Sequence, residues 1–280
     1  MQKTIGKYFA LFVLPTLVAF ALAFLIPFVL GLYLSFTEFT TVTDAVFVGI
    51  DNYVKAFANA DFLNALWFTV KFTAVSVVII NVLSFLFAYL LAGKIPGTNL
   101  FRTIFFMPNL IGGVVLGYIW QIIINGVLMR FGVDITFDAD YGFWGLVILM
   151  SWQLIGYMMV IYIAGIQNIP PALTEAAKID GASSGQILRH IVIPSVMPSV
   201  TICTFLTLTN AFKLFDQNLA LTAGAPGKQT QMLALDIYNT FYGRIGSEGV
   251  GQAKAVIFFL LVAILALGQL RLTRSREVEQ

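Results

Sequence analysis

Six separate tracts of this chain are apolar for about 20 residues or more, the length at which a helix rising about 1.5 Å per residue covers roughly 30 Å of hydrocarbon. They run approximately Phe9 to Phe36, Trp67 to Ala92, Thr103 to Asn125, Phe143 to Ile166, Val196 to Phe215 and Val250 to Leu270. Helices apolar on every side find no solvent match in water, so a bilayer is the expected environment. Composition agrees, with 59% hydrophobic and 11% charged residues against about a quarter charged in soluble domains. The expected fold is all-α: a polytopic membrane protein of six transmembrane helices, forming one domain over residues 1–280. A net charge of +2 supplies no basic face for nucleic acid. The single cysteine, Cys203, cannot close an internal disulfide. The first tract is far longer than the roughly 7 to 15 residues of a signal-peptide core and no small-residue cleavage site closes it, so it is read as a retained span.

Charge asymmetry orients the spans, because loops rich in lysine and arginine stay in the cytoplasm. The N-terminus, the loop from Gly93 to Arg102, the loop from Gln167 to Met197 and the C-terminal tail hold nine basic residues: Lys3, Lys7, Lys94, Arg102, Lys178, Arg189, Arg271, Arg274 and Arg276. Four acids oppose them, Glu175, Asp180, Glu277 and Glu279, whereas the rest of the chain holds seven bases and ten acids. Both termini are therefore expected in the cytoplasm of a cell (plasma or inner) membrane. Within the spans, Pro15, Pro27 and Pro108 are expected to bend helices, and Gly113 with Gly117 to let two helices approach closely.

One cytoplasmic loop, residues 167–198, is read as a structured elbow. Prolines at a first helical turn followed by good helix formers from Ala172 to Ile179 make one short helix. Gly181 supplies the left-handed residue that ends it, and Ser183 with Gln186 fits a capping box that starts a second helix, closed by Pro194 and Pro198. Ala176, Ala177 and Gly181 leave the elbow with little bulk, which suits it either to an ordinary interfacial connector or to a partner protein's cleft.

Glu175-Ala176-Ala177, Gly181 and Ile193-Pro194 closely resemble the EAA loop of binding-protein-dependent ABC importer permeases, and Glu-Ala-Ala-Lys-Ile-Asp-Gly-Ala looks like the carbohydrate branch with its maltose-type and glycerol-phosphate-type members. Supporting matches occur in order along the chain: Pro27 with Leu34-Ser35-Phe36, Val48-Gly49-Ile50-Asp51-Asn52-Tyr53, Phe101-Arg102 with Met107-Pro108, and Leu221-Thr222-Ala223-Gly224-Ala225-Pro226. The resemblance implies that Glu175, Ala176, Ala177, Asp180 and Gly181 couple the chain to a cytoplasmic ATPase present in two copies. It also implies a second permease subunit, an extracytoplasmic solute-binding protein and a carbohydrate substrate. No cofactor is expected in this chain; ATP and magnesium belong to the partner ATPase. In agreement, Gly6-Lys7, Gly93-Lys94 and Gly227-Lys228 are never followed by the Ser or Thr of a phosphate-binding loop.

Sugar recognition needs amides, hydroxyls and flat aromatic surfaces, and polar groups inside spans face protein or water rather than lipid. The fourth span offers Trp152, Gln153 and Tyr157; the fifth offers Thr207, Thr209, Asn210, Lys213 and Asp216. Lys213 and Asp216 are spaced to share a helix face, as a structural ion pair or as substrate ligands. By the resemblance, Tyr157 matches a family sugar-contact position and Asn210 falls beside one. Trp67, Trp120 and Trp144 are read as interfacial anchors, Asn81, Asn109 and Gln121 as interhelical hydrogen bonders, and His190 as an interfacial side chain. An ion-driven secondary transporter is the alternative and would require an internal repeat and buried midplane carboxylates. A membrane-embedded enzyme would require clustered nucleophiles, bases or metal ligands, which one Cys and one His far apart do not make.

Overall fold

The computed structural model describes residues 12–93 and 96–274. Lys3, Lys7, Lys94, the start of the first tract at Phe9, and the tail charges Arg276, Glu277 and Glu279 lie outside the described residues. Five helices are long and apolar enough to cross a membrane, and a sixth crossing results if one bent helix pair is taken as one span. The chain divides into two compact units, Met1–Ala60 with Ile237–Phe259 and Asp61–Asp236 with Leu260–Gln280.

In the first unit α1 spans Phe12–Leu34. Its middle turn, Ala21–Leu25, is a π-helix in which the Ile26 N–H reaches back to the Ala21 carbonyl. Pro27 follows and has no N–H to give, so the hydrogen-bond register must shift around it. A two-residue hairpin pairs β1 (Thr37–Glu38) with β2 (Val46–Phe47), and α2 covers Asp51–Ala58. Asn52 is buried and its Nδ2 donates to the Ser35 carbonyl (3.1 Å) and the Thr37 carbonyl (2.8 Å), while Ser35 Oγ and Tyr53 Oη are 2.7 Å apart. The segments around Ser35 and Asn52 are therefore one hydrogen-bonded corner. Gly249 packs against the Thr37 carbonyl, where a Cβ would overlap it.

The second unit is built from α3 (Ala60–Leu91), α4 (Thr98–Phe106), α5 (Gly113–Leu128), α6 (Ala139–Gln167), α7 (Pro171–Ile179), α8 (Ser184–Ser195), α9 (Met197–Phe212) and α10 (Asp216–Leu221). Two further helices, α11 (Leu233–Gly243) and α12 (Glu248–Arg274), begin in one unit and end in the other. The axis of the second unit is α6: 72% of its most apolar stretch is buried, against 28% for α3. Phe72 meets Phe143 edge to face, and Ser84 Oγ donates to the Ile155 carbonyl at 3.0 Å. Both contacts join residues 71 apart, so α3 and α6 run parallel. At Gly156 the backbone of α6 lies against the Phe105 carbonyl of α4, with no room for a side chain.

Two expected spans are corrected. The tract from Thr103 to Asn125 is not one helix: α4 ends at Phe106, a 3-10 turn covers Met107–Leu110, and α5 starts at Gly113 after an extended Gly112. Pro108 cannot donate to the preceding turn, which removes the bond that would have joined the halves. The tract from Val196 to Phe215 is likewise not the whole fifth span. Its helix starts at Ser184, bends by 66° between Ser195 and Met197, and stops at Phe212. Pro194 and Pro198 flank that joint and strip donors from both sides of it.

Gly113 and Gly117 serve close packing, as their spacing suggests. A Cβ on Gly117 would sit 2.5 Å from Ala220 Cβ, and one on Gly113 2.8 Å from Asp216 Cβ, so α10 lies directly on α5. The loop that follows is tied by Asn218, which is fully buried. Its Nδ2 donates to Thr222 Oγ1 (3.1 Å) and the Thr230 carbonyl (2.8 Å), and its Oδ1 accepts from Met232 N–H (2.9 Å). Asn218→Ala strands a buried N–H and a buried carbonyl, so it is expected to cost about 2 to 3 kcal/mol, read as a lowered unfolding temperature in detergent. Lys228 forms an exposed ion pair with Asp61 at 2.7 Å, and that bond raises the lysine's pKa.

Candidate functional site

The elbow folds by local rules. Pro171 occupies the first position of α7, where its missing N–H costs nothing. At the far end Gly181 takes φ +81°. There the Ala182 N–H donates to the Ala177 carbonyl (2.9 Å) and the Gly181 N–H to the Lys178 carbonyl (3.1 Å), the paired bonds of a Schellman motif. Asp180, the capping residue between them, is exposed and its N–H bonds the Ala176 carbonyl at 2.9 Å. Ser183 then starts α8 with both halves of a capping box: its N–H donates to Gln186 Oε1 (2.7 Å) and its Oγ accepts from Gln186 N–H (3.4 Å). The two turn signals visible in the sequence are both present.

The inner side of the elbow has its own small core. Ile169, Ile187, Val192 and Val196 are buried, with Ala177, Ala182, Phe85 and Tyr89 packed around them. Its outer side is exposed and carries Glu175, Ala176, Lys178 and Ile179, the last 86% accessible. A hollow of about 300 Å³ opens beside the turn, lined by Ala177, Asp180, Gly181, Ala182, Gln186 and His190. His190 is exposed and its Nδ1 lies 3.0 Å from the Gln186 carbonyl, so the ring stays with its own helix. The exposed face thus sets Glu175, Lys178 and Asp180 around low-bulk Ala176 and the projecting Ile179.

The polar residues of the spans separate into two groups. Gln153 is buried and its amide is engaged on both sides, accepting from Gln217 Nε2 (2.8 Å) and donating to the Ile111 carbonyl (3.5 Å). Tyr157 is half-buried and meets Phe106 edge to face at 6.2 Å. Asn210 is exposed, with Nδ2 turned back to the Leu206 carbonyl at 2.8 Å. Lys213 and Asp216 do not share a helix face: Lys213 caps the end of α9, Asp216 opens α10, and non-helical chain separates them. The helix stops short because the chain turns back after Phe212 to lay α10 on the glycine face of α5. Both side chains are exposed; Lys228 pairs with Asp61 at 2.7 Å.

Trp120 packs edge to face on Trp152 at 5.6 Å, and Trp67 and Trp144 are exposed. Gln121 Nε2 donates to the Leu221 carbonyl at 2.9 Å and Asn81 bridges helices, as expected of them. Lys254, unremarked in the sequence, is fully buried in α12 and bonds Thr240 Oγ1 at 2.8 Å. A lysine two residues after Gln252 in the sixth tract was the available signal.

The sequence signature of the binding-protein-dependent transport system inner membrane component family matches residues 94–277, which include the whole elbow. The chain belongs to that family. Over 98% of this chain and 96% of the relative, it is 47% identical to a probable starch degradation products transport system permease protein, AmyD, of Thermoanaerobacterium thermosulfurigenes. It is 30% identical to the multiple sugar-binding transport system permease protein MsmF of Streptococcus mutans over 99% of both chains. Among solved structures, a chain of a bacterial ABC transporter that imports the acidic polysaccharide alginate superposes with a TM-score of 0.83 at 20% identity, covering 98% of each chain. The family's all-α, membrane-spanning permease fold is thus the fold of this chain, and membership favours transport by permease over an ion-driven secondary transporter.

Proposed function

We propose that the chain is one of two permease subunits of an ATP-driven importer of starch-derived or related oligosaccharides. It lies in the cell membrane with both termini and the elbow in the cytoplasm, lines half of the translocation path, and receives sugar from an extracytoplasmic solute-binding protein. The elbow carries the reading. Its exposed ridge of Glu175, Ala176 and Ile179, stiffened by the Gly181 turn and anchored on a core that reaches α3, is a rigid handle through which a partner's movement passes into the spans. Ala176 and Ala177 admit a close-fitting groove, Glu175 offers it a charged contact, and Asp180 holds the turn. ATP and magnesium act in the two ATPase subunits.

Tyr157, Asn210, Lys213 and Asp216 are the proposed sugar contacts; Gln153, bonded to Gln217 and Ile111, orients α6 for them. The likeness to AmyD supports the starch-derived class. The test is reconstitution in proteoliposomes with the second permease, ATPase and binding protein, followed by uptake of labelled maltodextrins. ATP-dependent uptake that needs every component is expected, and movement of sugar by this chain alone defeats the reading. In the same assay Tyr157→Ala is expected to raise the KM for uptake about tenfold, the worth of one aromatic stack, with assembly unchanged.

A further inference from the structure

Deep in the second unit, three spans are joined by one chain of hydrogen bonds. Tyr162 Oη on α6 donates to Asn81 Oδ1 on α3 at 2.8 Å, and Asn81 Nδ2 donates to the Val77 carbonyl of its own helix (2.8 Å) and to Thr207 Oγ1 on α9 (3.4 Å). Thr207 Oγ1 in turn donates to the Cys203 carbonyl at 2.7 Å. Tyr162 and Thr207 are fully buried. Every side-chain donor is used, yet the strengths differ: the link between α3 and α6 is short, and the link from Asn81 to α9 lies at the outer limit of a hydrogen bond.

The elbow connects to this chain through rings. Phe85 and Tyr89 pack on the elbow core beside Ala177 and Ala182, and Phe85 meets Tyr162 edge to face at 5.7 Å. The elbow's second arm, α8, runs into α9 through the 66° joint. Next to that joint Gly165 of α6 presses against the Ser199 side chain so closely that a Cβ has no room, and Val196 lies beside it. Thr207 stands eight residues beyond Ser199, about 12 Å further along α9. A rotation of α9 about the Gly165 contact thus moves Thr207 further than the residues beside the joint and breaks the weakest bond first, while α3 and α6 remain paired through Ser84 and Ile155. Asn210, one turn beyond Thr207, moves with it.

We infer that Asn81 and Thr207 form a latch between the second and fifth spans, held in register by Tyr162, that restrains α9 until the elbow is driven. This rests on the importer reading above. Tyr162 and Asn81 are positioning residues: they touch no substrate and set when the outer half of α9 is released. Directional bonds inside the bundle serve this better than aliphatic packing, because a hydrogen bond is made or lost over a fraction of an ångström whereas side chains of Leu type slide.

The experiment uses the complete importer in proteoliposomes, with ATP hydrolysis measured with and without sugar-loaded binding protein and sugar uptake measured alongside. Thr207→Val keeps the shape and removes the hydroxyl. It is expected to raise hydrolysis without binding protein about threefold, the weight of one hydrogen bond between membrane helices, and to raise ATP consumed per sugar in proportion. Thr207→Ser keeps the hydroxyl and is expected to behave as wild type. Tyr162→Phe should shift the same ratio in the same direction, and the double variant should exceed neither single change by much, because both open one latch. An assembled Thr207→Val importer with wild-type ATP per sugar overturns the latch, as does a Thr207→Ser importer equally uncoupled, since packing would then explain both. Wild-type hydrolysis indifferent to binding protein overturns the importer reading itself, a distinguishable result.

Discussion

Gly181→Val is expected to leave the chain inserted and assembled with its partners while cutting ATP-driven uptake tenfold or more. Gly181 holds φ +81°, a region that costs an L-residue roughly 1 to 2 kcal/mol and a β-branched one more. Relieving that strain unwinds the turn and sacrifices the paired bonds to the Ala177 and Lys178 carbonyls, so α7 loses its fixed angle to α8. Space is not the obstacle, because a Cβ on Gly181 meets nothing within 4 Å. Gly181→Asn, which tolerates the left-handed region, is therefore expected to retain most uptake. The measurement is uptake per assembled complex at matched expression. Equal losses for Val and Asn would move the cause from backbone geometry to bulk in the partner's groove.

Gly156→Ala is expected to damage the fold itself. A Cβ there falls on the Phe105 carbonyl and within 2.7 Å of the Phe106 nitrogen, both backbone atoms that cannot rotate aside. The whole of α4 must retreat from α6, which places the cost near about 3 kcal/mol, the upper end for overpacking. A fall in unfolding temperature of roughly 6 to 12 °C in detergent is expected for a unit of this size. Gly126→Ala in α5 is the control: its Cβ meets nothing, and alanine favours a helix over glycine by about 1 kcal/mol, so stability should hold or rise. Equal behaviour of the two variants would mean that the α4 contact at Gly156 contributes nothing.

What could be read in advance and what could not divide along physical range. The spans were legible because about 30 Å of hydrocarbon imposes a length on any crossing segment whatever its neighbours are. The elbow was legible because each of its signals acts within a turn or so of chain: Pro171 at a first turn, Gly181 at a left-handed position, Ser183 facing Gln186. Such signals act through backbone geometry and need no tertiary context. Even there, the proline rule told where chain is weakened without telling the outcome. Pro27 leaves α1 continuous through a π turn, Pro108 ends α4, and Pro194 with Pro198 bends the fifth span.

Contacts between residues far apart in the chain had no such signature. Lys213 and Asp216 have a spacing that suits a shared helix face, but the helix ends at Phe212 because α10 must return onto Gly113 and Gly117, roughly 100 residues upstream. Gln153 carries the side chain of a sugar ligand and spends it on Gln217, 64 residues away. Asn81, Tyr162 and Thr207 are ordinary polar residues in apolar tracts until three spans bring them within 3.4 Å. By itself the sequence determined how many times the chain can cross a bilayer and where its elbow turns, since solvent matching and local backbone geometry act on short stretches. Only the tertiary structure decided which polar groups are consumed in holding the spans together and which stay exposed, since that depends on which distant side chain arrives first to satisfy each buried donor and acceptor.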